Sequence, residues 1–401
     1  MSNRRKLVSE WLRGRNMPAL NQVFPVLDHC TLSSLRVLTR REMFKAGLRA
    51  GAGAAGVAAL GPAASVASAA ERCSEPCSSL VPAAAGDPVP SDRDVVSLRW
   101  LGCACFELAY RNQVILLDTW YDRPLCRDIG LTPQQVVRAD TIFIGHAHFD
   151  HIADAASIAL RTGATVVADQ TVGTGVLLTQ GVPANQIRSI NGLGGELLQF
   201  NGFTVQPILA HHSVLPSSLN SEGETAVQEI TDAYLALENP PITSADLAAS
   251  LAVVNRGSFD PRIAAQGTIA YLFTFDSGYQ MVWLDSAGPI TPYLQAAMEK
   301  LKSTNLAIVG YTAQVFPRYQ VPVTLSLINL FNPDMFLPAH HDEFLYTRDG
   351  ISLSTFPDMA TEPLFQAMRE SRPQTKTFSG LYRTAVCINI NKGKIWDREN
   401  C

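Results

Sequence analysis

Seven of the eight histidines in this 401-residue chain fall into three clusters, and each cluster stands directly behind a short apolar run. The clusters are His146, His148 and His151, then His211 and His212, then His340 and His341. Short apolar runs bounded by turn formers read as buried strands. Loops at strand ends face a rim and present side chains to it. The placement therefore asks for a fold in which strands far apart in the chain end side by side at one rim.

The rest of the chain supplies the strands. Residues 95–100, 105–110 and 114–118 read as strands, with Arg111 and Asn112 as a tight turn. Further strands are expected over 141–145, 165–168, 203–209, 306–309, 335–337 and 385–390. Residues 269–275 and 280–284 form a hairpin around Asp276-Ser277-Gly278. Helical spacing marks 152–160, ended by Gly163, and shorter helices are expected over 325–331 and 363–369. Residues 217–262 are polar, carry Pro240-Pro241 and hold two helices, 225–237 and 244–254; they read as an insertion at the rim. Strand pairs mixed with helices along the whole body indicate a layered α/β sandwich, and no repeat is visible. Hydrophobic residues are 47% and charged residues 17%, which excludes a wholly disordered, collagen-like or coiled-coil chain.

Gly145-His146-Ala147-His148-Phe149-Asp150-His151 is the densest chemical signal. In an extended loop residues i and i+2 point the same way, so His146 and His148 can grip one ion. Asp150 and His151 come at the turn into the helix and aim at a second position; the bland alternative makes Asp150 the helix N-cap. This motif resembles the His-x-His-x-Asp-His signature of the metallo-β-lactamase superfamily. The resemblance spans roughly 95–342 and continues in order through Trp100-Leu101-Gly102, Leu117-Asp118, Ala210-His211-His212-Ser213, Leu284-Asp285-Ser286 and Pro338-Ala339-His340. The spacing is similar to the branch that contains L-ascorbate-6-phosphate lactonase and N-acyl-phosphatidylethanolamine-hydrolysing phospholipase D.

The resemblance implies a four-layer αββα sandwich over 95–401 and two divalent ions, with zinc favoured and manganese or iron compatible with the same donors. The first ion takes His146, His148 and His212, the branch's Ala-x-His-Ser pattern selecting His212 over His211. The second takes Asp150, His151 and His340. Asp285 bridges both, and Asp118 orients a ligand or a loop. Such a pair ionises a shared water for attack on a carbonyl or phosphoryl centre. Asp150 is the candidate catalytic residue, shuttling a proton to the leaving group. An ester, lactone or phosphodiester of a small-molecule or lipid-like substrate is the expected target. A β-lactam hydrolase and a non-catalytic metal-retaining binding protein are the alternatives. One position departs from the branch: Gly102-Cys103-Ala104-Cys105 stands where Gly-His-Ala is usual. Cys103 reads as a buried small side chain, with a metal ligand or a catalytic cysteine as the other readings.

Charge divides the chain. Residues 1–70 hold ten basic and three acidic residues, leaving 22 basic and 33 acidic for the remainder. An acidic body is a poor partner for nucleic acid. Thr39-Arg40-Arg41-Glu42-Met43-Phe44-Lys45 and the Ala/Gly-rich run 50–70 resemble a twin-arginine export signal, with Met43 where the pattern has Phe. An uncleaved anchor or a disordered tail is the rival reading of this segment. Ala67-Ser68-Ala69 is a small-residue cleavage site. The expected organisation is an export signal over 1–70, a Ser/Pro/Ala-rich linker over 71–94 and the catalytic domain from 95. Export implies the twin-arginine machinery as partner of the precursor and a periplasmic or secreted location. The eight cysteines show no zinc-ribbon spacing; Cys73 and Cys77 can bridge after export, and the connectivity stays open.

Overall fold

The strand Val95–Trp100 (β1) pairs antiparallel with Phe106–Tyr110 (β2), which turns back into Gln113–Leu117 (β3). Arg111 and Asn112 make that turn at φ 45° and 58°, the left-handed pair that matches a two-residue hairpin to the twist of its strands. Thr141–Phe143 (β4), Thr165–Asp169 (β5) and Ile187–Ile190 (β6) then add in parallel. Phe149–Ile152 (α1), Ala155–Thr162 (α2) and Gly173–Thr179 (α3) lie in their crossovers. The structure is a computed structural model describing residues 79–124, 129–213, 244–311, 317–342, 356–380, 382–391 and 393–396.

The second sheet starts as an antiparallel meander of Leu198–Phe200 (β7), Phe203–Ala210 (β8), Thr268–Phe275 (β9) and Gln280–Leu284 (β10). Ser244–Val254 (α4) and Ile263–Gln266 (α5) stand between β8 and β9. Thr304–Gly310 (β11), Pro333–Ala339 (β12) and Lys376–Thr377 (β13) extend the sheet in parallel. Their connections carry Pro292–Leu301 (α6), Pro317–Phe331 (α7) and Phe356–Ser371 (α8). The chain then returns to the first sheet, where Ala385–Asn389 (β14) pairs with β1 and Lys394–Trp396 (β15) closes the edge. The order is β15-β14-β1-β2-β3-β4-β5-β6 in one sheet and β13-β12-β11-β10-β9-β8-β7 in the other.

Three buried clusters show why these elements stack as four layers. One lies between the sheets and joins Leu98, Phe106, Ile115 and Phe143 to Val205, Tyr271, Trp283 and Ile308. A second joins the outer face of the first sheet to α2 and α3 through Leu116, Ile142, Val166, Ile158 and Leu177. The third joins the outer face of the second sheet to α6, α7 and α8 through Val282, Leu294, Leu327 and Leu364. Phe143 meets Tyr271, Phe273 and Phe200 edge-on at 5.1, 5.3 and 5.6 Å. Aromatic pairs of this kind add about 0.5–1.5 kcal/mol beyond their area, so β4 is pinned between the sheets just before it delivers Gly145. The C-terminal ends of β3, β4, β8, β10 and β12 open on one edge of the sandwich.

Some elements differ from the sequence pattern. Residues 152–160 do not form one helix, because Asp154 breaks it. Its carboxylate turns inward and accepts from Tyr121 N at 2.6 Å, Asp122 N at 2.9 Å and Arg256 Nη1 at 2.9 Å. Gly163 ends α2 at φ 79° as its pattern implies. The helices expected over 325–331 and 363–369 extend back to Pro317 and Phe356, with Pro322 and Pro363 inside them. The segment read as a linker is docked over Ala83–Ala85: the N–H groups of Ala83 and Ala84 both donate to the buried Glu107 carboxylate. Composition alone hides that contact, since the partner is a single acid on β2. Within the insertion, α4 matches its pattern, and 225–237 lies outside the described residues. Cys73, Cys77 and the export segment lie outside them too; among the described residues no helix is long and apolar enough to cross a membrane.

Candidate metal centre

β4 delivers the first histidines through Gly145, a position that tolerates no side chain. A Cβ there would lie 2.1 Å from Oδ2 of Asp285. The loop then runs extended to His148, which is the N-cap of α1 at φ −66°, ψ 155°. Asp150 is therefore inside the helix rather than its cap, and its carboxylate is free to face the rim. Nε2 of His146 stands 2.9 Å from Nδ1 of His148. His212, at the end of β8, closes the group with ring centroids 4.6 Å from His146 and 4.7 Å from His148. Its Nδ1 meets the Ser213 carbonyl at 2.8 Å, which turns Nε2 toward the other two rings. His211 joins no donor cluster among the described residues.

A second group forms beside the first. Oδ2 of Asp150 lies 3.4 Å from Nε2 of His151 and 3.1 Å from Nε2 of His340. The His146 and His151 rings, 3.9 Å apart, join the two groups. Asp118, at the end of β3, accepts from Gly145 N at 2.9 Å through Oδ1 and meets Nδ1 of His151 at 2.6 Å through Oδ2. It thus ties the motif loop to the His151 ring. Asp285 ends β10 with Oδ2 2.6 Å from Nδ1 of His146 and 3.2 Å from Nδ1 of His151. That oxygen meets both rings on the side away from their Nε2 atoms, while Asp285 Oδ1 is buried without a hydrogen-bond partner. Asp118 and His340 hold φ 51° and 60°, and backbone of this kind persists where surroundings over-determine it.

The electrostatics divide the site in two. Burial holds His146 and His148 down to about 3 and His212 down to about 4, so at neutral pH these are three neutral imidazoles with lone pairs to offer. Burial also opposes charge on His151, but the fields of Asp150, Asp118 and Asp285 outweigh it and hold that ring well above the usual histidine range. Asp150 is buried yet drawn well below the carboxylate range by His151 and His340. Burial pushes Asp118 up. Among the described residues, the ion-pair partners of Asp118, Asp150 and Asp285 are imidazoles alone. Three buried carboxylates without a lysine or arginine call for cationic charge. Imidazole and carboxylate donors within 4.8 Å of one another, with one orphaned carboxylate oxygen among them, are the donor set of a divalent ion.

Features with no local signal in the sequence complete the site. Asp342 accepts from Arg123 at 2.9 Å, from Tyr382 Oη at 2.7 Å and from Cys103 N at 2.9 Å. His341 stacks on Trp100 at 4.3 Å and lies in no donor cluster. On the rim, Ser258 N donates to Ala147 O at 2.8 Å, and a Cβ on Gly257 would meet Phe149 N at 2.3 Å. The tail of the insertion is thus built onto the motif loop. Phe259 follows, 66% exposed and 5.8 Å from the His148 ring.

Two mixed sheets between helical layers, with this cluster on one edge, define an α/β sandwich of the metallo-β-lactamase type. Residues 97–230 match the β-lactamase superfamily domain, a third of the chain. A metal-dependent hydrolase of Thermodesulfovibrio yellowstonii is 31% identical over 108 residues, 26% of this chain and 40% of that protein. One from an Anaeromyxobacter species is 30% identical over 124 residues, 30% of this chain and 44% of that protein. The chain thus spans about two fifths of the length of these curated relatives. Among solved structures, Igni18, a metallo hydrolase of Ignicoccus hospitalis, is 17% identical, covering 73% of this chain and 98% of its own at a TM-score of 0.47.

Proposed function

We propose that this chain is an exported hydrolase that uses two divalent ions to cleave an ester, lactone or phosphodiester bond. The observation that carries the reading is the pair of adjoining donor groups, His146–His148–His212 and Asp150–His151–His340. The first supplies three donors, and three protein ligands leave a position for water or substrate; the second has the Cys103 sulfur beside its three. Bound there, the ions supply a water ionised at neutral pH and polarise the scissile centre. The three neutral imidazoles hold one ion and leave its charge undiminished. Asp118 keeps the proton of His151 on Nδ1, so Nε2 faces the second ion. Asp285, the expected bridging ligand, reaches both groups through Oδ2, 2.6 Å from His146 and 3.2 Å from His151. Asp150, ionised in this setting, would hold the second ion, take the proton of the attacking water as a base and return it to the leaving group. Phe259, beside His148, offers an apolar rim that suits a lipid-like or acyl-bearing small molecule. A disulfide at Cys387 supports an oxidising compartment and hence export.

The test is metal analysis of the full chain with a panel of ester, lactone, phosphodiester and β-lactam substrates. Two ions per chain and metal-dependent turnover on one of the first three classes are expected. His148→Ala should abolish turnover and lower metal content. Full activity of that variant with both ions retained would refute the ligand assignment, and a panel silent with metal loaded would favour a binding protein.

A further inference from the structure

We propose that the Cys103 thiol is a fourth protein ligand of the second ion, so that this ion is closed off while the three-imidazole ion keeps the open position. The inference deepens the metal-dependent reading above and rests on it. Cys103, Asp150, His151 and His340 each offer a donor atom, and the four atoms lie within 4.8 Å of one another. Sγ of Cys103 is 3.9 Å from Oδ2 of Asp150, the same oxygen that stands 3.4 Å from His151 and 3.1 Å from His340. Donors on a tetrahedral zinc with bonds of about 2.0–2.3 Å are roughly 3.3–3.8 Å apart. The three separations at the Asp150 oxygen lie within a few tenths of an ångström of that range.

The backbone aims the thiol. Cys103 holds φ 49°, a cost that a glycine would avoid. Its N–H donates to Asp342 at 2.9 Å, and its carbonyl accepts from Trp100 Nε1 and from His340 N, both at 2.8 Å. The turn after β1 is thereby tied to the strand end that carries His340, and two donors are set by one network. Cys105 provides the contrast. It is equally buried, but its sulfur takes the Trp120 N–H at 3.3 Å and lies in no donor cluster. On metal binding the Cys103 S–H bond breaks, a sulfur–metal bond forms and the proton leaves to solvent, with no oxidant involved. A thiolate favours zinc over manganese or magnesium. Four protein ligands close a zinc site, so the water for attack falls to the ion held by His146, His148 and His212.

X-ray absorption of the full chain loaded with Zn²⁺ should show one sulfur for every two ions, at about 2.3 Å. Cobalt loading should add a thiolate charge-transfer band. Cys103→Ser should lose both signals and weaken one of the two metal equivalents by at least about tenfold, whereas Cys105→Ser should keep them. Only nitrogen and oxygen around bound metal in the wild type, or a sulfur signal that survives Cys103→Ser, overturns the assignment and leaves the hydrolase reading standing. No metal uptake at all overturns both. Should Cys103→Ser fail to fold, the wild-type and Cys105→Ser spectra decide.

Discussion

Asp118→Asn is the sharpest probe of how the fold sets the site proposed for a second ion. The change is nearly isosteric, and asparagine is among the residues that tolerate the observed φ of 51°. Both carboxylate oxygens are in use, Oδ1 on Gly145 N at 2.9 Å and Oδ2 on His151 Nδ1 at 2.6 Å. Asparagine retains one oxygen. If that oxygen stays on Gly145, the amide nitrogen faces Nδ1, and two donors would oppose each other. The imidazole must then move its proton to Nε2, the atom aimed at Asp150. A hydrogen bond involving a charged group is worth about 1.5–3 kcal/mol. Loss of a carboxylate that orients a ligating histidine costs about 10–100-fold in metal affinity, which is about 1.4–2.7 kcal/mol. The two routes agree. Chelator-competition titration with Zn²⁺ at pH 7 resolves two equivalents, with the metal-free melting curve as the control for folding. One equivalent should weaken by that factor, and the three-imidazole equivalent should stay unchanged. Wild-type affinity in both, or loss confined to the three-imidazole equivalent, would refute the assignment of Asp118 to His151.

Under the proposed two-ion reading, the two donor groups should also respond differently to pH. His146, His148 and His212 are held at about 3 to 4. They are already neutral at pH 5.5 and meet little proton competition. Three ordinary imidazoles would lose roughly 500-fold in affinity between pH 7 and 5.5, and this site should lose less than about tenfold. His151 is raised instead. It must release a proton to ligate, so the second equivalent should weaken by about tenfold per pH unit as pH falls; identical pH slopes for both equivalents would contradict the division. Phe259→Ala should raise KM for substrates with an apolar arm by about 5–30-fold, the worth of a partly buried aromatic side chain, with kcat and metal content unchanged. A KM that ignores acyl length would remove Phe259 from the substrate path.

Periodicity and turn chemistry make much of the fold legible in the sequence. β1, the β2–β3 turn, the β9–β10 hairpin and α4 follow from local pattern, because each is set by neighbours a few residues away. The break at Asp154 and the docking of Ala83 on Glu107 were not legible. Both depend on a buried carboxylate whose partners lie 23 to 102 residues off. The site divides in the same way. The chain itself determines the donor types, since imidazoles and carboxylates behind apolar strands can do little else in such density, and the spacing within 146–151 puts two donors on each side of one loop. The resemblance already favoured His212 over His211; the tertiary structure brings His212 to His146 and sets the Asp118 and Asp285 oxygens against Nδ1 of the rings. It alone also brings the Cys103 sulfur to within 3.9 Å of Asp150. The reason is physical. Donor chemistry is a property of a residue, whereas the distance between donors is set by the pairing of strands and the packing of two sheets.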